Sequence, residues 1–135
     1  MMHPLKISIV QTDIAWENKQ ENLRMLREKL HALRGTTEIV VLPEMFSTGF
    51  TMKSRELAEP VSGITVRILK ELAADFQLAL CGSFICSERS NYYNRAFFIT
   101  PEGEEFYYDK RHLFRMGNEA EYFSSGNNKL IISYR

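Results

Sequence analysis

Five residues, Glu38–Leu42 (EIVVL), constrain the fold more than any other stretch of this chain. The run is apolar, does not alternate, is too short for a helix, and is stopped by Pro43. That is the pattern of a strand buried on both faces. A helix-period segment precedes it. Leu23, Leu26, Leu30 and Leu33 recur at helical spacing, Asn18 and Glu21 form a variant capping box, and Gly35 stands where a left-handed C-cap is expected. Earlier still, Leu5–Gln11 (LKISIVQ) alternates as a strand does. Strand, helix and strand at this spacing predict a βαβ unit with parallel strands.

The remaining chain extends that unit. Thr51–Pro60 is polar and irregular. Ser62 or Thr65 is placed to cap a second helix, whose buried face is Val66, Leu69, Leu72, Ala73 and Phe76. Leu78–Cys86 (LALCGSFIC) reads as a third strand. Tyr92–Thr100 and Glu104–Tyr108 flank Pro101-Glu102-Gly103 and read as a hairpin. Asp109–Gly126 reads as a long loop with functional polar groups, and Lys129–Ser133 as a last strand. The order β-α-β-α-β-β-β-β predicts an α/β domain with a mixed sheet. No helix follows the last strand, so one face of the sheet is expected to have little cover.

Composition narrows the function. A length of 135 residues favours one domain. Lys+Arg and Asp+Glu both number 17, so the net charge is zero. This gives no basic groove for nucleic acid and no polybasic patch for a membrane. No segment approaches transmembrane length, and the opening MMHPLKISIVQ lacks the charged and apolar regions of a signal peptide. Cys81 and Cys86, the only cysteines, are too few for a disulfide framework or a zinc site. The expected setting is reducing and cytoplasmic, with no cofactor and no metal.

Three positions are candidates for chemistry. Glu44 follows Val41-Leu42-Pro43 at the end of a parallel strand, the usual place for ligand sites in α/β sheets. Phe46 and Phe50 are expected to make its surroundings apolar, which suits a carboxylate to general-base work. The alternative is a glutamate that caps a helix or pairs with a cation. Lys110 lies in YYDKRHLF, among Asp109, Arg111 and His112. A fixed ammonium there can stabilise an oxyanion, whereas an ordinary loop lysine is solvated. His112, beside Leu113 and Phe114, reads as structural. In MGNEAEYFSSG, Glu119 or Glu121 can face a site, or both can be solvated loop acids. Cys81 and Cys86 are five residues apart on one strand and point to opposite faces, as buried small hydrophobes do. Ser47 and Thr48 lack the surroundings of a nucleophile elbow.

Taken together, VLPEMFSTGF, YYDKRHLF and NEAEYFSSG resemble the nitrilase, or carbon–nitrogen hydrolase, superfamily, and YDKRHLF looks most like its ω-amidase branch. KISIVQTDIAWENKQENL and the YYNRAFFITPEGE hairpin also fit. The resemblance implies the N-terminal half of a four-layer α-β-β-α sandwich, so residues 1–135 are expected to be a partial domain. It implies a Glu-Lys-Cys triad: Glu44 as general base, Lys110 as oxyanion stabiliser, and Glu119 as a second glutamate orienting the site. It implies a small-molecule amide substrate, such as an ω-amide of a dicarboxylate. The family's cysteine lies beyond Lys110 in a motif like CYDLRFP, and no cysteine follows Cys86 here. The chain by itself is therefore expected to be inactive. The uncovered sheet is expected to associate with a second copy or a partner. The alternatives are a non-catalytic half-domain, or another branch such as a nitrilase or a carbamoylase.

Overall fold

The computed structural model describes residues 3–135. Five strands form one mixed sheet in the order β1-β2-β3-β4-β5: β1 Ile7–Ile9, β2 Ile39–Val41, β3 Ala79–Glu88, β4 Asn91–Ile99 and β5 Glu105–Asp109. The first three pair in parallel and the last three are antiparallel, so the βαβ unit and the hairpin both form. Gly103, at φ +93°, makes the hairpin turn, and its N–H donates to the Thr100 carbonyl.

Two long helices, α1 (Lys19–Leu33) and α3 (Ile64–Phe76), cover one face of the sheet. Leu23, Leu26 and Leu30 of α1 and Val66, Leu69, Leu72 and Phe76 of α3 pack into one core with Val40, Leu80, Phe84, Phe97 and Ile99. Asn18 caps α1 by accepting from the Glu21 N–H, and Gly35 takes the expected left-handed conformation just past the helix end. The Glu21 carboxylate does not complete the box; it pairs with Arg24.

Four expectations change. Neither Ser62 nor Thr65 caps α3; its N-cap is Gly63, and the Glu59 carboxylate reaches across to accept from the Thr65 N–H and hydroxyl. The stretch Thr51–Pro60 contains a single helical turn, α2 (Ser54–Leu57). The loop Asp109–Gly126 contains a 3-10 turn, Arg115–Gly117, and a short helix, α4 (Glu119–Tyr122). Lys129–Ser133 is not a strand. An apolar run becomes a strand only where an edge accepts it, and this one pairs with none. Ile131 stays 94% exposed, while Tyr134 lies edge-on to Phe98 and Arg135 pairs with Glu38.

The second sheet face is thinly covered, as expected. Ile7 and Ile9, on edge strand β1, are 54% and 80% exposed. At the β3–β4 end a small cluster forms, where Met45, Ile85 and Phe123 pack with Phe50, Leu57 and Leu113, and farther along β4 Phe106 and Tyr134 lie against Phe98.

Candidate active site

Parity along the strands decides what faces the open side. In β3, Leu80, Phe84 and Cys86 point to the helices, so Cys81, Ser83 and Ile85 point away. The ladder carries this across: Ile85 pairs with Asn94, and the Lys110 N–H donates to the Asn94 carbonyl. Asn94 and Lys110 therefore project on the open face beside each other.

Glu44 reaches the same place through a turn. After Leu42 the chain leaves β2, but it stays pinned to β3. The Met45 N–H donates to Ser83 Oγ at 2.8 Å, and the Phe46 N–H to the Ser83 carbonyl. Met45 is buried in the left-handed region, φ 48°. That conformation costs a non-glycine residue on the order of 1 kcal/mol or more, and it is held by its surroundings. Buried Asn22 supports the turn from behind, donating to the Ser47 carbonyl at 2.7 Å. Gly49, at φ +83°, lies under the Trp16 ring, where a Cβ would collide.

Lys110 continues the β5 ladder, and the returning chain closes over it. The Gly126 N–H donates to the Lys110 carbonyl at 3.0 Å, and a Cβ at Gly126 would strike the Asp109 carbonyl. Glu119 opens α4 behind left-handed Asn118, and it is fully buried.

The three side chains converge. Lys110 Nζ donates to Glu44 Oε1 at 2.8 Å and contacts Glu119 Oε1 at 3.0 Å. Glu119 Oε1 also accepts from the Phe114 N–H at 2.6 Å. Asn94 Nδ2 donates to Glu44 Oε1 at 2.6 Å and to Glu119 Oε2 at 3.1 Å. The Phe50 ring lies 5.3 Å from Lys110 Nζ, close enough for a cation–π contact. Burial works against the Lys110 ammonium, but the hydrogen bonds to Glu44 and Glu119 outweigh it and hold its pKa above the ordinary lysine value. Lys110 is therefore a fixed cation.

The apolar pocket expected around Glu44 is not there. Its side chain is 47% exposed and its partners are polar. Phe46 turns into the helix-side core, and only Phe50 lines the cluster, next to Lys110. His112 and Glu121 are exposed. Ser47 and Thr48 are buried in the turn.

Neither thiol joins the cluster. Cys86 lies in the helix-side core, and burial pushes it up to about 11. Cys81 is on the open face, but four residues along β3 from Ile85, the partner of Asn94, which is roughly 13 Å of strand. Burial raises its pKa as well. Among the described residues no group of His, Cys, Asp and Glu has the arrangement of a metal site, and no helix is long and apolar enough to cross a membrane.

Asn94 is the member that the sequence pattern does not single out. Its signal was weak but present: Asn is depleted in strands, and this one stands mid-strand between aromatic residues in YYNRAFF.

A mixed sheet carries helices on one face and gathers two glutamates and a lysine on the other. The profile of the carbon-nitrogen hydrolase family matches residues 6–133, and the chain belongs to that family. Among its relatives is the omega-amidase YafV of Escherichia coli K12, 32% identical over 99% of this chain and 52% of its own length. An (R)-stereoselective amidase from Pseudomonas is 27% identical over 97% of this chain and 48% of its own. The solved structure of XC1258 from Xanthomonas campestris, a CN-hydrolase superfamily protein with an arsenic adduct in its active site, superimposes with a TM-score of 0.95. It is 36% identical and covers 99% of this chain and 51% of its own. The chain thus spans about half the length of the relatives it matches.

Proposed function

We propose that this chain carries the base and the cation of an amidase centre that hydrolyses small ω-amides of dicarboxylates, such as 2-oxoglutaramate. The observation that carries the reading is the contact of Lys110 with both Glu44 and Glu119 at the open sheet face. The nucleophile is a cysteine from outside these 135 residues. Glu44 takes the proton from that thiol, and the thiolate attacks the amide carbon. The carbonyl oxygen becomes an oxyanion beside the Lys110 ammonium, which is already charged and already in place. As the C–N bond breaks, Glu44 returns the proton to the leaving nitrogen and ammonia departs. Glu44 then accepts a proton from water as it attacks the thioester, and it passes that proton to the sulfur as the C–S bond breaks and the acid and the thiol are released. Glu119 holds Lys110 and touches no reacting atom.

The omega-amidase relatives support the choice of substrate. The test is ammonia release from 2-oxoglutaramate. The 135-residue chain alone should give none. The chain joined to the remaining half of the Xanthomonas campestris relative should turn over. Turnover by the chain alone would remove the need for an outside cysteine.

A second reading rests on Ile7 and Ile9, which stand exposed on the open face. On it the chain is a non-catalytic half-domain that binds a second copy or a partner. Association with no amide hydrolysis in the joined protein would favour it.

A further inference from the structure

The cluster holds two carboxylates and one ammonium, an excess of one negative charge. Two carboxylates so placed repel one another, so each needs donors besides the shared ammonium. One ammonium contacts both acids on their Oε1 atoms. A second bridge runs beside it: Asn94 Nδ2 has two N–H groups, with Glu44 Oε1 and Glu119 Oε2 as acceptors. The orientation of the amide is fixed by chemistry, because turning it over would set Oδ1 against carboxylate oxygens. Its backbone is fixed too, between Ile85 of β3 and Lys110.

We propose that Asn94 is a positioning residue for Glu44. It bridges both glutamates without adding charge and holds Glu44 by one oxygen. This rests on the reading of Glu44 as the base. Both donors to Glu44, Lys110 Nζ and Asn94 Nδ2, land on Oε1. Oε2 is thereby the oxygen presented to the thiol and later to water. Lysine in place of Asn94 would tie Glu44 up in a second ion pair, and aspartate would add a third acid. A neutral group with two donors serves both carboxylates at once. The charged groups facing Glu44 are Lys110, from the end of β5, and beyond it Glu119 of α4.

Two experiments decide. In the joined enzyme, Asn94→Leu removes both donors while keeping the same branched heavy-atom outline. Its kcat should fall about ten- to a hundredfold, with KM little changed, as expected when a base is misplaced by a fraction of an ångström. Asn94→Ser, with one donor, should fall between. A loss that follows only the amount of folded protein, with kcat per folded molecule unchanged, would overturn the proposal. In the 135-residue chain, the Asn94 Nδ2 proton resonances should shift on Glu44→Gln, a substitution at a half-exposed site. Resonances that ignore it would overturn the proposal whether or not any variant is active. If the joined protein hydrolyses no amide, the assignment of Glu44 as base fails by itself. The resonances then still decide whether Asn94 holds Glu44, and silent ones defeat both.

Discussion

On the helix side of the sheet, Val40, Leu80, Phe84, Phe97 and Ile99 meet two amphipathic helices and form the core. On the other side the same strands present Asn94, Lys110 and Cys81, with Ile7 and Ile9 bare at the edge. One sequence serves both because successive strand residues point to opposite faces. The helix face takes its free energy from burial, whereas the open face spends some of it on a strained Met45, a buried glutamate and an amide in mid-strand. The difference teaches that the packed core and the polar cluster are separated here by strand parity, not by distance along the chain.

The separation has one weak point, Glu119, which belongs to the site yet is fully buried. Glu119→Ala should break the comparison most severely. It strips Lys110 and Asn94 of a partner and leaves the Phe114 N–H unsatisfied, so a loss of about 3–5 kcal/mol is expected from thermal unfolding. Activity in the joined enzyme should fall with it. Leu69→Ala sharpens the comparison from the other side. It should cost about 2–5 kcal/mol by denaturant titration, while activity per folded molecule stays unchanged.

The thiols test the two faces chemically. With Cys86 pushed up to about 11, its thiolate is scarce at neutral pH. Iodoacetamide labelling followed by mass spectrometry should find it alkylated at least about a hundredfold slower than a free cysteine until the chain unfolds. Fast labelling of Cys86 in the folded chain would contradict the packing.

Acid should weaken the contact that Glu59 makes at the start of α3. Burial opposes ionisation of Glu59, but hydrogen bonds from Thr65 and Lys19 outweigh it, so its folded pKa lies below normal. Such a group stabilises the fold fully above its unfolded pKa, about 4.3, and the contribution is lost as pH falls through the lower folded value. Melting curves of Glu59→Gln should therefore depend less on pH below about pH 5 than those of the parent chain. The smallest effect belongs to the open edge: Ile9→Thr should change stability by less than about 0.5 kcal/mol. A larger change would mean that the open face is covered in solution, and sedimentation would show by what.

Much of this was legible in the sequence because local rules acted alone. The helical leucines, the Pro-Glu-Gly hairpin and the buried run ending at Pro43 each specify their own geometry. Glu44, Lys110 and Glu119 were legible only as three segments read jointly, since each alone is an ordinary charged residue. What could not be read depends on tertiary partners. The cap of α3 comes from Glu59, which no local rule pairs with Thr65. Lys129–Ser133 has a strand's composition but pairs with neither sheet edge, β1 or β5. The surroundings of Glu44 depend on which way Phe46 turns after the left-handed Met45, and it turns toward α1 and α3.

The central claim is that the open-face cluster does chemistry and the helix face does not. Glu44→Gln in the joined enzyme tests it most directly, because the side chain is half exposed and the change removes only charge and basicity. Ammonia release from 2-oxoglutaramate should fall by about a thousandfold, with a melting temperature within about 2 °C of the parent. Activity retained at a substantial fraction of the parent's, in a protein of equal stability, would contradict the account.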